Sequence, residues 1–402
     1  MREDALLGID WENLLARRAA NIRSSVTFKF GEPVEMPGTI SFAGGAPPAA
    51  FLPLERMAEA TARAWETIDP SVMYYGEYQG HQPLRELIAE RMGRRGAAIS
   101  ADDVLITNGS QQGLELVSKL FLNPGDRVIV EAPTYFGALQ IFEVYEAEFL
   151  PVPVDDGGIV AAELERALQQ TPKPKLIYLI PTFQNPTGIA LNSTRRQQVI
   201  ELARRYGVPI IEDDPYGELW FRHGDHGTLR ALGPEVIYLG TFSKTMAPAL
   251  RMGWMVVPPS LMTRFTFAKE GVDIQSDRVV QRAMVYASEG GWLDEHIAGA
   301  REEYRARCDH MLECLEREMP RGTRWTEPDG GFFIWVTLPD GANADELVKE
   351  CANHGVMYNP GSCFYTDWEP KSTLRLGFST LTRDEVAEGL RRMGMVFRQH
   401  LD

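Results

Sequence analysis

Residues 241–253 read TFSKTMAPALRMG and hold the densest chemistry in the chain. Lys244 stands just past the apolar run Val236-Ile237-Tyr238-Leu239, flanked by hydroxyl residues, with Arg251 seven positions on. A primary amine can form an imine with an aldehyde, while hydroxyls and a guanidinium can hold an anionic group such as a phosphate. A single lysine is ordinarily a solvated surface charge. The weight of Lys244 therefore depends on what other segments bring to it.

Those segments are positioned by an alternation of short apolar runs and amphipathic stretches. The runs are 103–107, 127–130, 176–180, 208–211, 236–239 and 253–257; helical patterns fall at 111–121, 136–145, 161–170 and 194–206. Most runs are apolar on both faces, as strands covered by helices on both sides must be. The pattern predicts an α/β fold with a mostly parallel central sheet flanked by helices. Polar and glycine-rich residues follow the runs: Asn108 to Gln111, Glu131 to Tyr135, Pro181 to Gly188, Glu212 to Tyr216, and Thr241 to Lys244. Open α/β sheets bind ligands outside the carboxyl ends of their strands, so these five segments converge on one edge.

Each segment offers a specific group beside a plainer alternative. Gly109-Ser110-Gln111-Gln112-Gly113 joins a strand to a helix; its free amides and the Ser110 hydroxyl suit a phosphate, or Ser110 is an ordinary cap. It lacks the GK[ST] of an ATP-type loop. Asp213, at the end of a buried strand, can keep a proton on a heteroaromatic nitrogen, or belong to a solvated acidic loop. A protonated pyridine is the electron sink of pyridoxal phosphate chemistry. Tyr216 beside it, and Asn185 in Asn185-Pro186-Thr187-Gly188, can reach a ring oxygen, and Tyr135 offers a stacking face or a plain core tyrosine. Arg375 is a charge inside the apolar pattern LRLGFS. It fits bidentate capture of a carboxylate, or an internal salt bridge. His223 and His226 lie in the polar stretch RHGDHGT without a partner cluster, and no metal site is expected.

Bulk properties narrow the classes. The chain has 402 residues, 44% of them hydrophobic, enough for a large core in two or three domains. A net charge of −15 argues against a nucleic-acid surface. No run approaches the roughly 18 apolar residues of a membrane span. The acidic, amphipathic N-terminus lacks a secretory core. The scattered cysteines Cys308, Cys314, Cys351 and Cys363 fit a reducing compartment, so a cytoplasmic protein is expected. A second, smaller α/β unit is readable after Gly290, with helices at 292–319, 343–354 and from Thr382, and strands near 330–338, 355–358 and 373–378. The expected division is an N-terminal arm (1–45) belonging to the small domain, a large domain (46–288) and a small C-terminal domain (289–402).

The segments SFAGGAPP, YYGEYQG, NGSQQG, EAPTYFG, PTFQNPTG, EDDPYGEL, GTFSKTMAPALRMGW, GGFFIW, PGSCF and RLGFS occur in one order from Ser41 to Ser379. In that order the chain resembles the fold-type I, pyridoxal-phosphate-dependent aminotransferases of class I/II. The branch it resembles holds the α-aminoadipate, kynurenine and broad-specificity enzymes. The resemblance implies Lys244 as the imine lysine and general base, Asp213 as partner of the ring nitrogen, and Asn185 and Tyr216 at the ring oxygen. It implies Tyr135 stacked on the ring, and Ser110, Gln111, Thr241, Ser243 and Arg251 around the phosphate. Arg375 takes the substrate α-carboxylate, with Asn185 and Gly45 also at the substrate. Tyr75 resembles the tyrosine lent across a homodimer interface to the neighbour's phosphate.

Donor choice is expected to turn on the N-terminal arm. In aminoadipate-like relatives an arginine there meets the distal carboxylate; aligned with them, Phe28 falls near its place, with Arg23 or Lys29 as alternatives. An aromatic there leaves a carboxylate poorly solvated and favours aromatic or branched-chain donors. Transfer to a 2-oxo acid such as 2-oxoglutarate is the expected reaction. A lyase, decarboxylase or racemase on the same scaffold is the alternative. A regulator of this fold would need a DNA-binding unit, and only about 40 residues precede the core.

Overall fold

The structure, a computed structural model, describes residues 9–22 and 38–401. An eight-stranded sheet forms its centre. The strands are β1 (Val104–Thr107), β2 (Arg127–Ala132), β3 (Glu148–Asp155), β4 (Gly158–Ile159), β5 (Leu176–Leu179), β6 (Ile210–Asp213), β7 (Val236–Thr241) and β8 (Gly253–Val256). Their spatial order is β1-β8-β7-β6-β5-β2-β3-β4. Neighbours from β7 through β6, β5 and β2 to β3 pair in parallel; β8 runs antiparallel to both β1 and β7, and β4 to β3.

Period-two alternation sends successive residues of these strands into two cores. Val128 and Val130 pack with Leu114, Val117 and Phe142, from the helices Ser110–Phe121 and Phe136–Val144. Ile129 turns the other way, to Leu164, Val199 and Ile200 on the helices Ala161–Leu168 and Ser193–Tyr206. Burial on both faces explains why the strands read as unbroken apolar runs.

β3 is the strand that periodicity alone does not single out. Its sequence EFLPVPVD contains Pro151 and Pro153, which usually demote a run. It is tolerated near the sheet edge, where β4 pairs with Val154 and Asp155 only. The helices Leu54–Thr67 and Gln82–Arg94 precede the sheet, and Pro259–Asp273 and Arg278–Ser288 follow it. In the arm, helix is confined among the described residues to Trp11–Leu14 and a 3-10 turn at Arg17–Asn21.

The 27-residue helix Trp292–Glu318 leads to a second sheet of four antiparallel strands. These are β9 (Arg324–Trp325), β10 (Phe333–Thr337), β11 (Asn359–Pro360) and β12 (Thr373–Gly377), in the order β9-β10-β12-β11. Ile40–Ser41 pairs in parallel with Val356–Met357, which ties the segment before Gly44 to this unit. The terminal helix Arg383–Leu401 packs on Trp292–Glu318. No helix among the described residues is long and apolar enough to cross a membrane.

Gly253 shows how tightly the sheet edge is built. A Cβ there would lie 2.6 Å from the carbonyl carbon of Gly109, on the turn that opens the helix Ser110–Phe121. Gly253→Ala is expected to destabilise the protein by about 1–3 kcal/mol through this overpacking. Urea unfolding of the two proteins checks it, and an unchanged midpoint would mean that the turn yields freely.

Candidate active site

The segments following β1, β2, β5, β6 and β7 meet in one cavity of 350 Å³. Because β8 is antiparallel to β7, Arg251, just before β8, arrives at the same edge. The cavity is lined by Ser110, Gln111, Tyr135, Asn185, Asp213, Tyr216, Thr241, Ser243, Lys244 and Arg251, and by Gly45 and Arg375 from the second unit's side. Tyr75 is expected at a neighbour's cavity rather than at its own. Tyr75 is 74% exposed and lies outside the cavity. Phe28, with its alternatives Arg23 and Lys29, falls outside the described residues.

Lys244 Nζ donates to the carbonyl of Gly45 at 2.6 Å and lies 5.9 Å from the centre of the Tyr216 ring. Burial lowers its pKa to about 8, with Arg375 and Arg251 adding to the shift and Asp213 opposing it. An amine so placed loses its proton near neutrality, as a nucleophile or general base must. Gly45 sits under Phe333, whose ring lies 2.5 Å from where a Cβ would be. A side chain at 45 would therefore displace either Phe333 or the carbonyl that holds Lys244.

Asp213 closes β6 and is buried. Its Oδ2 accepts the Tyr178 hydroxyl at 2.8 Å, while Oδ1 is buried without a partner. Burial raises its pKa to about 7; the Tyr178 bond opposes this, and Asp214 adds to it. A buried carboxylate oxygen with no donor is costly, and fits a ligand that brings an N–H.

Arg375 lies inside β12 and is 4% exposed. Among the described residues it has no carboxylate partner, so the internal salt bridge is not what holds it. Nη1 donates to Asn185 Oδ1 at 2.9 Å and Nη2 to the Ala43 carbonyl at 2.7 Å, while Nε is buried without an acceptor. The guanidinium lies 4.0 Å from the centre of the Phe333 ring and 5.0 Å from that of Phe364. Burial lowers its pKa to about 10, which still leaves it charged at neutral pH. A desolvated guanidinium without a counter-ion is an anion site.

Ser110, Thr241, Ser243 and Arg251 add donors to the lining. Gly109 takes φ +77 before the helix Ser110–Phe121, placing Ser110 at the positive helix end. The hydroxyls of Thr241 and Ser243 lie 2.9 Å apart, and Thr241 Oγ1 also accepts the Ser243 N–H at 3.1 Å. Arg251 is left-handed at φ +49 and donates to the Asn108 carbonyl at 3.2 Å. Such backbone strain persists only where surroundings impose it, and it gathers at ligand clamps.

Two residues at the site carry signals that the motif reading passes over. Tyr178 is a hydroxyl inside the all-apolar run LIYL, which needs a buried partner and finds Asp213. Phe333 belongs to GGFFIW; it is buried and braces Gly45, Tyr216 and Arg375 together. The two histidines of RHGDHGT lie elsewhere, and His226 packs edge-on against Phe183.

A mostly parallel sheet flanked by helices, with lysine, aspartate and arginine converging at its carboxyl edge, is the fold type I architecture of pyridoxal-phosphate enzymes. The chain belongs to the aminotransferase class I and II family, whose model matches residues 38–393. It is 39% identical over 400 residues to the aromatic-amino-acid aminotransferase 1 of Thermococcus litoralis, covering 98% of this chain and 96% of that one. The crystal structure of Pyrococcus horikoshii kynurenine aminotransferase, in complex with PMP, matches with a TM-score of 0.93 at 40% identity, over 99% of this chain and 100% of that one. LysN, the α-aminoadipate aminotransferase of Thermus thermophilus complexed with N-(5'-phosphopyridoxyl)-L-leucine, matches with a TM-score of 0.90 at 35% identity, over 97% and 99% of the two chains. The protein is a pyridoxal-phosphate-dependent aminotransferase. The orphaned Asp213 Oδ1, the amine of Lys244 and the donor wall around Ser110 and Arg251 fit that cofactor.

Asp213 and Lys244 push the pH profile of the cofactor-free protein in opposite directions over separate windows. Asp213 keeps its proton up to about pH 7 when folded but only to 3.8 when unfolded, so its contribution to stability falls as pH rises between those values. Lys244 loses its proton near pH 8 folded and 10.5 unfolded, so stability rises again over that upper window. Asp213→Asn is expected to gain about 2–4 kcal/mol over the wild type on going from pH 4 to pH 7. Thermal unfolding of both cofactor-free proteins across that range decides it; parallel profiles would mean that Asp213 does not hold the proton, since Glu131 and Glu212, also raised by burial, contribute alike to both proteins.

Proposed function

We propose that the chain moves the amino group of an L-amino acid with an aromatic or branched apolar side chain to a 2-oxo acid such as 2-oxoglutarate. Lys244 carries the cofactor and transfers the α-proton. The observation that carries these roles is the unpartnered Asp213 Oδ1, buried in the same cavity as Lys244 Nζ.

Bound there, the cofactor supplies a protonated pyridine ring that draws electrons from the substrate α-carbon. Asp213 Oδ1 holds the proton on the ring nitrogen, with Tyr178 fixing the other oxygen. Asn185 and Tyr216 would serve the ring oxygen, and Tyr135 would offer its face to the ring. Ser110, Gln111, Thr241, Ser243 and Arg251 hold the phosphate, supported by the helix start and by the left-handed Arg251. Arg375 binds the substrate α-carboxylate, supported by its uncompensated charge and its bond to Asn185. Lys244, its basicity lowered by burial, would take the α-proton and return it on the cofactor side of the transferred nitrogen. Phe333 over Gly45 keeps water from the amine.

The donor class is supported by the lining. Among the described residues the cavity's cations are Lys244, Arg251 and Arg375, each already engaged, while Phe136, Ile180 and Phe333 supply apolar wall. A distal carboxylate gains no counter-ion from that set. Two of the relatives above are named for aromatic amino acid and kynurenine donors. The same proposal includes a homodimer to which Tyr75 contributes across the interface. Exposed Met73, Tyr74, Tyr75, Val272 and Ile274 support it. It also includes a cytoplasmic location, in keeping with four buried cysteines that form no disulfide, and the division at 45/46 and 288/289.

Enzyme loaded with cofactor and mixed with one amino acid, without acceptor, is expected to lose its yellow colour with one equivalent of 2-oxo acid. Addition of 2-oxoglutarate restores it. Continued release of ammonia or carbon dioxide, or racemisation of the amino acid, would move the chain to the lyase, decarboxylase or racemase class. Lys244→Ala is expected to slow the half-reaction by about 10⁴-fold or more. Arg375→Lys is expected to lower kcat/KM by about tenfold to a hundredfold, since an ammonium cannot replace the fork.

In the same assay phenylalanine and leucine are expected to react faster than aminoadipate. The reverse order would mean that a cation from 23–37 reaches the cavity.

A further inference from the structure

Behind the turn at Asn108 lies a charged cluster that the proposed chemistry does not use. Asp273 is the last residue of the helix Pro259–Asp273, where a carboxylate faces the negative end of the helix dipole. Lys269, one turn earlier, has no solvent exposure, an expensive place for an ammonium. Two unfavourable placements side by side call for something that both secure.

What they secure is the turn. Lys269 Nζ donates to Asp273 Oδ1 at 2.7 Å and to Oδ2 at 2.9 Å. The same Oδ2 accepts Asn108 Nδ2 at 2.5 Å and Gln112 Nε2 at 2.7 Å. With its amide nitrogen committed to Asp273, Gln112 turns its oxygen to the Asn108 backbone N–H, which donates at 2.8 Å. The Asn108 carbonyl in turn accepts from Arg251. Asn108 is therefore fixed through its N–H, its side chain and its carbonyl. Ser110 and the first free amides of its helix follow within two residues.

We infer that Asp273, anchored by Lys269 and acting through Asn108 and Gln112, is a positioning residue that sets the turn at Asn108–Ser110 and the Arg251 side chain for the cofactor's phosphate. This rests on the phosphate roles proposed above for Ser110 and Arg251. Neither Asp273 nor Lys269 lines the cavity, so the effect passes through the clamp. An amide at 273 loses the carboxylate's charge, and in either orientation its nitrogen faces a donor, Lys269 Nζ on one side or the Asn108 and Gln112 side-chain amides on the other.

The test separates phosphate grip from general stability. Cofactor-free full-length wild type, Asp273→Asn and Gln112→Met are titrated with pyridoxal phosphate, with pyridoxal lacking the phosphate, and with inorganic phosphate, and their thermal midpoints are recorded. Asp273→Asn is expected to weaken pyridoxal phosphate and inorganic phosphate by about tenfold to a hundredfold, the scale of one or two lost charge-assisted bonds, and pyridoxal by less than about threefold. Gln112→Met is expected to weaken the two phosphate ligands by about tenfold. It serves as the deciding variant if Asp273→Asn does not fold. Equal weakening of pyridoxal and its phosphate, or no weakening in Gln112→Met, would overturn the inference while leaving Ser110 and Arg251 in place. A wild type that binds the two forms equally would remove the phosphate assignment itself, and this inference with it.

Discussion

Asp213 and Arg375 are buried at one cavity, Lys244 is half-buried there, and no salt bridge joins any two of them among the described residues. Isolated buried charges are among the most expensive features a fold can carry. The surroundings divide the cost. Burial pushes Asp213 towards its neutral form against the pull of a single phenol, Lys244 drifts towards its neutral form against a carbonyl, and Arg375 spreads its charge over two acceptors and two aromatic faces. Asp213 Oδ1 and Arg375 Nε are left without a partner. Both residues line the cavity, so the polar groups the fold leaves unsatisfied belong to the walls of the site.

Neighbouring charges show how differently a buried group is treated when it has only a structural task. Glu212, Asp213 and Asp214 are consecutive and all buried. Glu212 accepts the backbone N–H groups of Leu229 and Arg230, each at 2.8 Å, and so pins a loop to the sheet. Asp214 pairs with Arg95 at 2.6 Å and accepts the Tyr238 hydroxyl at 3.0 Å, closing a buried ion pair. Asp213, between them, receives the least. Strand alternation delivers the three carboxylates to different surroundings, so identical chemistry in sequence becomes three functions in space.

That distinction marks the limit of what the sequence discloses. The parallel sheet was legible because burial on both faces imprints continuous apolar runs, and the convergence of five segments follows from the direction of parallel strands. Pro151 and Pro153 hid β3, because local propensity does not record how little of that strand's outer side is paired. The clamp on Asn108 was equally hidden, since Lys269 and Asp273 at one-turn spacing read as a common surface pair. Only tertiary burial shows otherwise. For Arg375, a charge in an apolar strand announced itself, yet its acceptors lie 190 and 332 positions away. Long-range partners of that kind leave no periodic trace.

The connector after Asp273 extends the same logic to the surface. Gln275 Oε1 accepts the Gly76 N–H at 2.8 Å, and Arg278 donates to the carbonyls of Tyr74 at 2.7 Å and Ser71 at 3.1 Å. Arg278 and Arg282 both pair with Glu77, and Gln281 holds the backbone N–H of His81. The backbone around Tyr75 is therefore fixed although the side chain stands in solvent. A side chain presented on a fixed backbone loses little entropy when something covers it, which is what an interface residue needs. Under the proposed dimer, residues 273–282 secure two structures at once: the phosphate turn of their own subunit and the segment offered to the neighbour. In such a dimer a change in this connector would reach both sites, although none of its residues lines the cavity.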